Sequence, residues 1–207
     1  MDLVEEVVTL RDRELAVLRP RDSEALIDEG AFAHDERMPY WAELWPSGIA
    51  LARALSGASL RGRRVLELGC GGLALPSIAA ALAGARVLAT DWEADALVLA
   101  RENAERNGAS IEVLEADWRR PEPLVERGPF DLVLGSDVLY ELRNGEALLE
   151  LLPRLTREVW IADPRRAAAE PFLEWAAPRW ELRQTADPVV PSVLVHRMTL
   201  RRGEAVS

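Results

Sequence analysis

Residues 65–76 read VLELGCGGLALP, and this stretch decides the fold. Its apolar start predicts a buried strand, its glycines predict a tight turn, and the alanine-rich segment from Leu75 onward predicts a helix. A strand that ends in glycines and opens a helix lets backbone N–H groups come close to a ligand. Asp91 ends the next predicted strand, twenty residues after Gly71, and a carboxylate there suits the two hydroxyls of a ribose. The stretch therefore predicts a nucleotide-type site.

From residue 63 onward, strands alternate with helices, which is the pattern of an α/β fold. The predicted strands are residues 64–68, 86–90, 111–115, 130–135, 158–162, 180–185 and 193–200. The predicted helices are residues 46–55, 75–83, 93–107, 146–155 and 167–177, with interruptions expected at Pro153 and Pro171. The last two strands follow each other across a short loop and should pair antiparallel. We predict a Rossmann-like, seven-stranded, mostly parallel sheet with a C-terminal antiparallel hairpin and helices on both faces.

The first 45 residues have a different pattern. Residues 4–19 alternate apolar and polar side chains around a polar turn, which predicts a β-hairpin. Residues 22–35 are polar and acidic and predict one short helix. We therefore divide the chain into an N-terminal hairpin and helix extension, residues 1–45, and a ligand-binding domain, residues 46–207, packed together as one globular unit.

The composition limits the classes of function. The chain has 207 residues, of which 49% are hydrophobic, and its formal net charge is −10. Such a charge repels nucleic acid and anionic membranes and favours cationic partners. The single cysteine, Cys70, and two histidines far apart in sequence offer neither a disulfide nor a metal-ligand cluster. We expect a cytoplasmic protein with no metal, no nucleic-acid partner and no membrane partner.

The glycine turn alone fits two cofactors, because Gly69-x-Gly71-x-x-Ala74 also matches the dinucleotide fingerprint. Glu67 lies two residues before the first glycine. A carboxylate there would repel a pyrophosphate, whereas it would attract the ammonium group of a methionine moiety. A chain of 207 residues also leaves little room for the separate substrate domain of a dehydrogenase. These features favour S-adenosylmethionine over NAD and make an oxidoreductase the weakest alternative.

The predicted adenine site follows the third strand of the α/β region. Asp117 and Trp118 stand there, and an acid beside a ring can bind the edge and the face of an adenine. Trp92 follows Asp91 directly, and Ser136 follows the fourth strand. We expect both to complete the set of side chains around the cofactor.

Residues 67–71, ELGCG, resemble motif I of the seven-β-strand (class I) S-adenosylmethionine-dependent methyltransferases, and Asp91 resembles the acidic position that follows it. The resemblance runs from about residue 39 to residue 164. It implies that methionine and ribose are held by Glu67, Gly69, Gly71 and Asp91. This chain has an extra residue in the turn, and Ala74 falls where the third glycine of the family usually lies. A bulged or shifted turn is therefore expected.

Two further motifs narrow the resemblance. Residues 135–141, GSDVLYE, resemble the D/E-x-x-Y/F signature of the protein lysine methyltransferases of this fold, and not the N-P-P-Y signature of enzymes that methylate amides or base amines. Residues 40–48, YWAELWPSG, resemble the tryptophan motif of the same group. The likeness is to the electron transfer flavoprotein β-subunit lysine methyltransferases and their bacterial relatives. It implies that Trp45 lies beside the cofactor.

The resemblance implies methyl transfer to a lysine side chain of a protein substrate. Methyl transfer is a displacement at the methyl carbon. It needs a neutral amine whose nitrogen lies in line with that carbon, at about 3 Å from it. Asp137 is expected to hold and orient the amine, and Tyr140 to wall the channel and accept a hydrogen bond. Two alternatives stay open, which are N-methylation of a small-molecule amine and a catalytically idle fold that binds the cofactor or a partner. The joint presence of Glu67, Asp91 and Asp137 argues against the idle fold.

Overall fold

The computed structural model describes residues 1–23, 26 and 39–203. The strands are β1 Leu3–Thr9, β2 Glu14–Pro20, β3 Arg64–Leu68, β4 Arg86–Asp91, β5 Ile111–Glu115, β6 Leu132–Ser136, β7 Glu158–Asp163, β8 Trp180–Ala186 and β9 Leu194–Leu200. The helices are α1 Pro46–Leu55, α2 Leu75–Leu82, α3 Ala94–Arg106, α4 Glu122–Arg127, α5 Leu142–Leu155 and α6 Ala169–Ala176. A short 3₁₀ turn, Tyr40–Ala42, precedes α1.

The large sheet has the strand order β5-β4-β3-β6-β7-β9-β8. Strands β3 to β7 pair in parallel, whereas β9 pairs antiparallel with both β7 and β8. The chain moves outward from β3 through β4 and β5 and then returns to β6 on the other side of β3. Ligands of open α/β sheets bind at such a reversal, outside the carboxyl ends of the strands. The predicted fold class is confirmed.

Helices cover both faces of this sheet because its central strands are apolar on both sides. On one face, Leu51 of α1 and Ile78 of α2 share a buried cluster with Val65 of β3. On the other face, Phe172 of α6 shares a second cluster with Leu66, the next residue of β3. Because side chains alternate along a strand, neighbouring residues of β3 therefore meet different helices.

The N-terminal hairpin, β1 paired with β2, is present as predicted. Asn103 of α3 and Asn107, the residue directly after α3, fasten the second strand of the hairpin to the domain. The side chain of Asn103 accepts a hydrogen bond from the Leu18 backbone amide at 2.6 Å and donates to the Leu18 carbonyl at 2.9 Å. Asn107 forms the same pair with Ala16, at 3.0 and 2.9 Å. The helix thus provides the backbone of β2 with the hydrogen bonds that a third strand would provide.

The helices differ from the sequence prediction in three places. Helix α4 was not predicted, because six residues are too few to show a periodic pattern. Helix α5 begins at Leu142 and continues through Pro153, where Leu151, Leu152 and Leu155 are buried beside it. Helix α6 contains Pro171 in its first turn, where a backbone N–H has no partner within the helix, so the proline does not interrupt it.

Two predictions about the start of the chain are not tested by the structure. The predicted helix at residues 22–35 lies almost wholly outside the described residues. The division into residues 1–45 and residues 46–207 stays a prediction. Among the described residues, no helix is both long enough and apolar enough to cross a lipid bilayer.

Candidate functional site

A cavity of about 690 Å³ opens at the carboxyl ends of the parallel strands, where the strand order reverses. This volume is within the usual range of small-molecule sites. The predicted site residues that line it are Trp45, Gly69, Gly71, Asp91, Trp92, Asp117, Trp118, Ser136, Asp137 and Tyr140. The structure therefore brings together residues that are almost a hundred positions apart in sequence.

The glycine turn needs backbone conformations that favour glycine. Gly69 and Gly71 have φ values of 66° and 60°, and a Cβ atom on Gly71 would lie 3.2 Å from the carbonyl oxygen of Trp41. Ala74 also has a positive φ, 44°, and it caps the N-terminus of α2. The expected irregularity of the turn is therefore the left-handed backbone conformation of Ala74, at the start of the helix.

Asp91 holds the glycine turn in place. One carboxylate oxygen accepts a hydrogen bond from the Gly71 amide at 2.9 Å, and the other accepts one from the Glu93 amide at 3.1 Å. Burial raises the pKa of this carboxyl above its ordinary value, while the two amides act in the opposite direction. A carboxylate has about four acceptor positions, and the backbone amides of Gly71, Trp92 and Glu93 all bind this one, so one position remains for a ligand in the cavity.

Glu67 is the one predicted site residue that the structure does not bring into the cavity. It follows Val65 on the same face of β3, and there its side chain is fully buried beneath α2. One oxygen accepts hydrogen bonds from the amide of Ser77 at 2.9 Å and from its hydroxyl at 2.5 Å. Burial raises the pKa of Glu67 to about 8, so the group carries a proton at neutral pH. In this geometry Glu67 supports the helix that follows the turn, and its role toward a methionine ammonium stays a prediction.

The predicted adenine side of the cavity combines two indole rings with an ion pair. The ring of Trp118 packs over Gly69, where a Cβ atom would lie 3.2 Å from it. Asp117 forms an ion pair with Arg119 at 2.9 Å, and the hydrogen bond from Arg119 lowers the pKa of that carboxyl. The Arg119 guanidinium also lies over the half-exposed ring of Trp92, at 5.8 Å. Two indole rings that line the cavity thus lie beside an acid.

Asp137 follows β6 in a left-handed conformation, with φ 56°, and is nine-tenths buried. Its backbone amide donates to the carbonyl of Ala162, which fixes the turn against β7. Its Oδ1 atom accepts hydrogen bonds from the guanidinium of Arg166, from Nε at 3.1 Å and from an NH2 group at 2.8 Å. Its Oδ2 atom is buried and has no hydrogen-bond partner in the part of the chain that the structure describes.

Arg166 is a site residue that the sequence prediction missed. It lines the cavity from the turn after β7, where its amide donates to Oδ1 of Asp163 at 2.8 Å. Its guanidinium also lies 5.6 Å from the centre of the Trp45 ring. The available signal was the polar run Asp163-Pro-Arg-Arg166 directly after a predicted strand. In a parallel sheet, such a run lies at the same edge as Asp137.

Aromatic rings form the wall next to Asp137. The ring of Tyr140 meets the ring of Tyr40 edge-on at 5.9 Å, and Tyr40 meets Trp45 at 6.0 Å. The indole N–H of Trp45 donates to the Tyr40 carbonyl at 2.9 Å. Burial raises the pKa of the Tyr140 hydroxyl, so this group stays neutral. Tyr40 was quoted in the tryptophan motif but was not predicted as a site residue.

Comparison with known proteins identifies the family. A family model described as lysine methyltransferase matches residues 32–175, well over half of the chain. The chain belongs to this lysine methyltransferase family. The Xenopus laevis electron transfer flavoprotein beta subunit lysine methyltransferase is 37% identical over 151 residues, which cover 68% of this chain and 59% of that protein. The Xenopus laevis histone-arginine methyltransferase METTL23 is 32% identical over 167 residues, which cover 72% and 68% respectively.

Solved structures add the likeness of fold. The T. thermophilus 16S rRNA methyltransferase RsmC, in complex with AdoMet and guanosine, superposes with a TM-score of 0.69 at 18% identity, over 96% of this chain and 51% of that chain. The lysine methyltransferase family match includes every cavity residue described above, from Tyr40 to Arg166. The N-terminal hairpin and strands β8 and β9 lie outside that match.

Proposed function

We propose that this member of the lysine methyltransferase family transfers a methyl group from S-adenosylmethionine to the side-chain amine of a lysine in a protein. The observation that carries the proposal is the division of one cavity into two parts. A glycine turn held by Asp91 lies on one side. On the other side lies Asp137, whose carboxylate has a buried oxygen with no partner among the described residues.

The cavity fits S-adenosylmethionine in shape and charge. The left-handed glycines let the Trp118 ring and the Trp41 carbonyl pack closely against the turn, and the Asp91 carboxylate retains an acceptor position for a ribose hydroxyl. The rings of Trp92 and Trp118 offer faces for an adenine, with Asp117 beside them. Acids at these places favour hydroxyl, amino and ammonium groups and disfavour the pyrophosphate of a dinucleotide.

When bound, S-adenosylmethionine supplies a methyl group attached to a sulfonium, whose sulfur retains the bonding electron pair as the methyl leaves. The protein has to position an amine with a free lone pair in line with that methyl carbon. The Asp137 carboxylate lines the cavity, and we expect it to accept an N–H of this amine and to fix its orientation. The rings of Tyr140 and Tyr40 contact each other and line the same cavity, where we expect them to wall the approach of the amine.

Two supporting observations concern the partner and the compartment. The net charge of −10 favours a basic protein substrate over nucleic acid or an anionic membrane. The chain has one cysteine, which is buried, and this usage is typical of a reducing compartment. We therefore propose a lysine-bearing protein substrate and a cytoplasmic location. A methyltransferase for small amines has no specific support in the structure.

The experiment incubates the purified protein with methyl-labelled S-adenosylmethionine and a bacterial lysate, hydrolyses the labelled fraction and separates the amino acids. We expect the label in protein and in methyllysine. The variant Asp137→Asn is the matched control, because asparagine tolerates the left-handed backbone while the charge is lost. Label in methylarginine, in RNA or in small molecules would contradict the proposal.

A further inference from the structure

The ion pair between Asp137 and Arg166 stands within the proposed substrate half of the cavity. Both nitrogen contacts of Arg166 go to Oδ1, so the guanidinium neutralises the carboxylate from one side. The other oxygen, Oδ2, is left without a partner among the described residues although the carboxylate is nine-tenths buried. A buried acceptor without a donor is costly, and a ligand that brings an N–H removes that cost.

Arg166 is held in this position from two sides. Its own backbone amide is bound by the buried Asp163, and its guanidinium faces the Trp45 ring. Burial raises the pKa of Asp163, with the nearby charge of Asp137 as a smaller cause. These contacts fix a positive charge beside the acid that would receive the substrate.

Other charged groups also face the cavity and act on an amine bound there. They come from the segment before α1, the end of β4, the turns after β5 and β6, and the first turn of α5. They are Glu43, Asp91, Asp117, Arg119, Glu141 and Arg143. Glu141 and Arg143 form an ion pair with each other, as do Asp117 and Arg119. Arg166 is therefore the positive group in direct contact with the acid that would anchor the amine.

We propose that Arg166 is a positioning residue that makes this site bind the uncharged form of an amine, and so selects a lysine side chain over an arginine side chain. The inference rests on the proposed function. Asp137 alone would hold an ammonium ion most strongly, and an ammonium ion has no lone pair to accept a methyl group. Asp137 paired with Arg166 offers a neutral acceptor, which suits an N–H of a free amine.

The size of this effect follows from the charges involved. A like charge within about 4–6 Å lowers the pKa of an amine by roughly 1–3 units. A lysine amine, with an ordinary pKa of about 10.4, can lose its proton under that influence near neutral pH. A guanidinium, with a pKa above about 12, cannot lose its proton and is repelled by Arg166. The pair therefore discriminates between two side chains that are both cationic in solution.

The test uses n-butylamine, which is the lysine side chain from Cβ outward, and n-propylguanidine, the corresponding part of arginine. Each is titrated calorimetrically into the full chain loaded with S-adenosylhomocysteine, at about pH 8 and in two buffers of different ionisation enthalpy. The comparison gives the number of protons released when each probe binds. The variants are Arg166→Gln, Arg166→Lys and, as matched control, Arg165→Gln. Arg165 is adjacent and exposed and does not line the cavity.

The wild type is expected to release up to about 0.8 proton for each n-butylamine bound, because a shift of about 3 units brings the pKa of the bound amine to about 7.4, whereas the free probe is protonated at about pH 8. Arg166→Gln should release few or none, and it should bind n-propylguanidine roughly tenfold more tightly than the wild type does. Arg166→Lys and Arg165→Gln should behave like the wild type. Unchanged affinity for S-adenosylhomocysteine will show that each variant is folded.

Equal proton release by the wild type and Arg166→Gln would overturn the inference, as would an Arg166→Lys variant that behaves like Arg166→Gln. Tighter binding of n-propylguanidine than of n-butylamine by the wild type would also overturn it. Each of these outcomes leaves methyl transfer to an amine intact. If no variant binds either probe while S-adenosylhomocysteine still binds, the proposed function fails and the inference fails with it.

Discussion

The two halves of the cavity are built in different ways. We call the turns after β3, β4 and β5 the cofactor edge, and those after β6 and β7 the substrate edge. At the cofactor edge, the glycine turn is held by side chains that bind its backbone, because Asp91 accepts from the Gly71 amide and Asn103 donates to the Gly72 carbonyl. At the substrate edge, two side chains bind each other, and Asp137 keeps an oxygen without a described partner.

From this difference we infer that the two edges have different functions. Bonds to the backbone fix the shape of the cofactor edge, which suits a site that binds the same molecule in every cycle. The ion pair at the substrate edge fixes a charge and leaves one carboxylate oxygen without a described partner, which suits a site where a proton and a methyl group are exchanged. Changes at the cofactor edge should therefore alter cofactor affinity, and changes at the substrate edge should alter turnover.

The largest effect is expected at the substrate edge. Asp137→Ala and Asp137→Asn should each lower turnover by about 100-fold, because each removes the group that orients the amine. Affinity for S-adenosylhomocysteine should stay within about threefold of the wild type. Single-turnover kinetics and calorimetry measure the two quantities. Near-normal turnover in Asp137→Asn would show that the carboxylate does not anchor the amine, and the small-amine alternative would gain.

The next effect is expected at the cofactor edge. Asp91→Ala should weaken S-adenosylhomocysteine binding at least tenfold, because each charge-assisted hydrogen bond to ribose is worth about 1.5–3 kcal/mol. The variant also releases the Gly71 amide, which loosens the turn. Calorimetry of the folded variant measures the change. An unchanged affinity would mean that Asp91 serves the turn alone and does not bind the ligand.

A smaller effect concerns the proton on Glu67. Its pKa is raised from 4.5 to about 8 in the folded chain, so between these values the folded state holds a proton that the unfolded state has lost. The free energy of unfolding should therefore fall as pH rises through this window, by on the order of 1 kcal/mol per pH unit, and level off above it.

Urea unfolding at several pH values tests this expectation with Glu67→Gln, which cannot titrate. The difference in stability between wild type and variant should change steadily across the window, in favour of the variant at higher pH. Glu146→Gln, on the exposed face of α5, is the control and should keep the wild-type slope. Parallel curves for wild type and Glu67→Gln would show that Glu67 does not carry the proton.

The cofactor edge could be predicted from the sequence because its parts are close together in the chain. The glycines, the strand before them and the acid that ends the next strand form a local pattern that is tied to backbone geometry. The same holds for the strands, whose apolar runs are bounded by turns. Alternation from Val65 places Glu67 on the face that α2 covers, a consequence of the strand pattern that was not part of the prediction.

The substrate edge could be predicted only in part. Asp137 and Tyr140 belong to a short motif, whereas Arg166 lies 29 residues beyond Asp137 and meets it only because β6 and β7 are neighbours. Strand order is a property of the whole fold, so no local spacing reveals this contact. Helix α4 was missed for the opposite reason, because its pattern is too short to identify.

The most direct test of the division between the two edges is the double variant Asp91→Ala/Asp137→Asn, measured beside its two single variants. If the edges act independently, its S-adenosylhomocysteine affinity should equal that of Asp91→Ala within about twofold. Its loss of turnover at saturating cofactor should likewise equal that of Asp137→Asn. If Asp137→Asn alone weakens S-adenosylhomocysteine binding as much as Asp91→Ala does, the two edges form one site and the account is wrong.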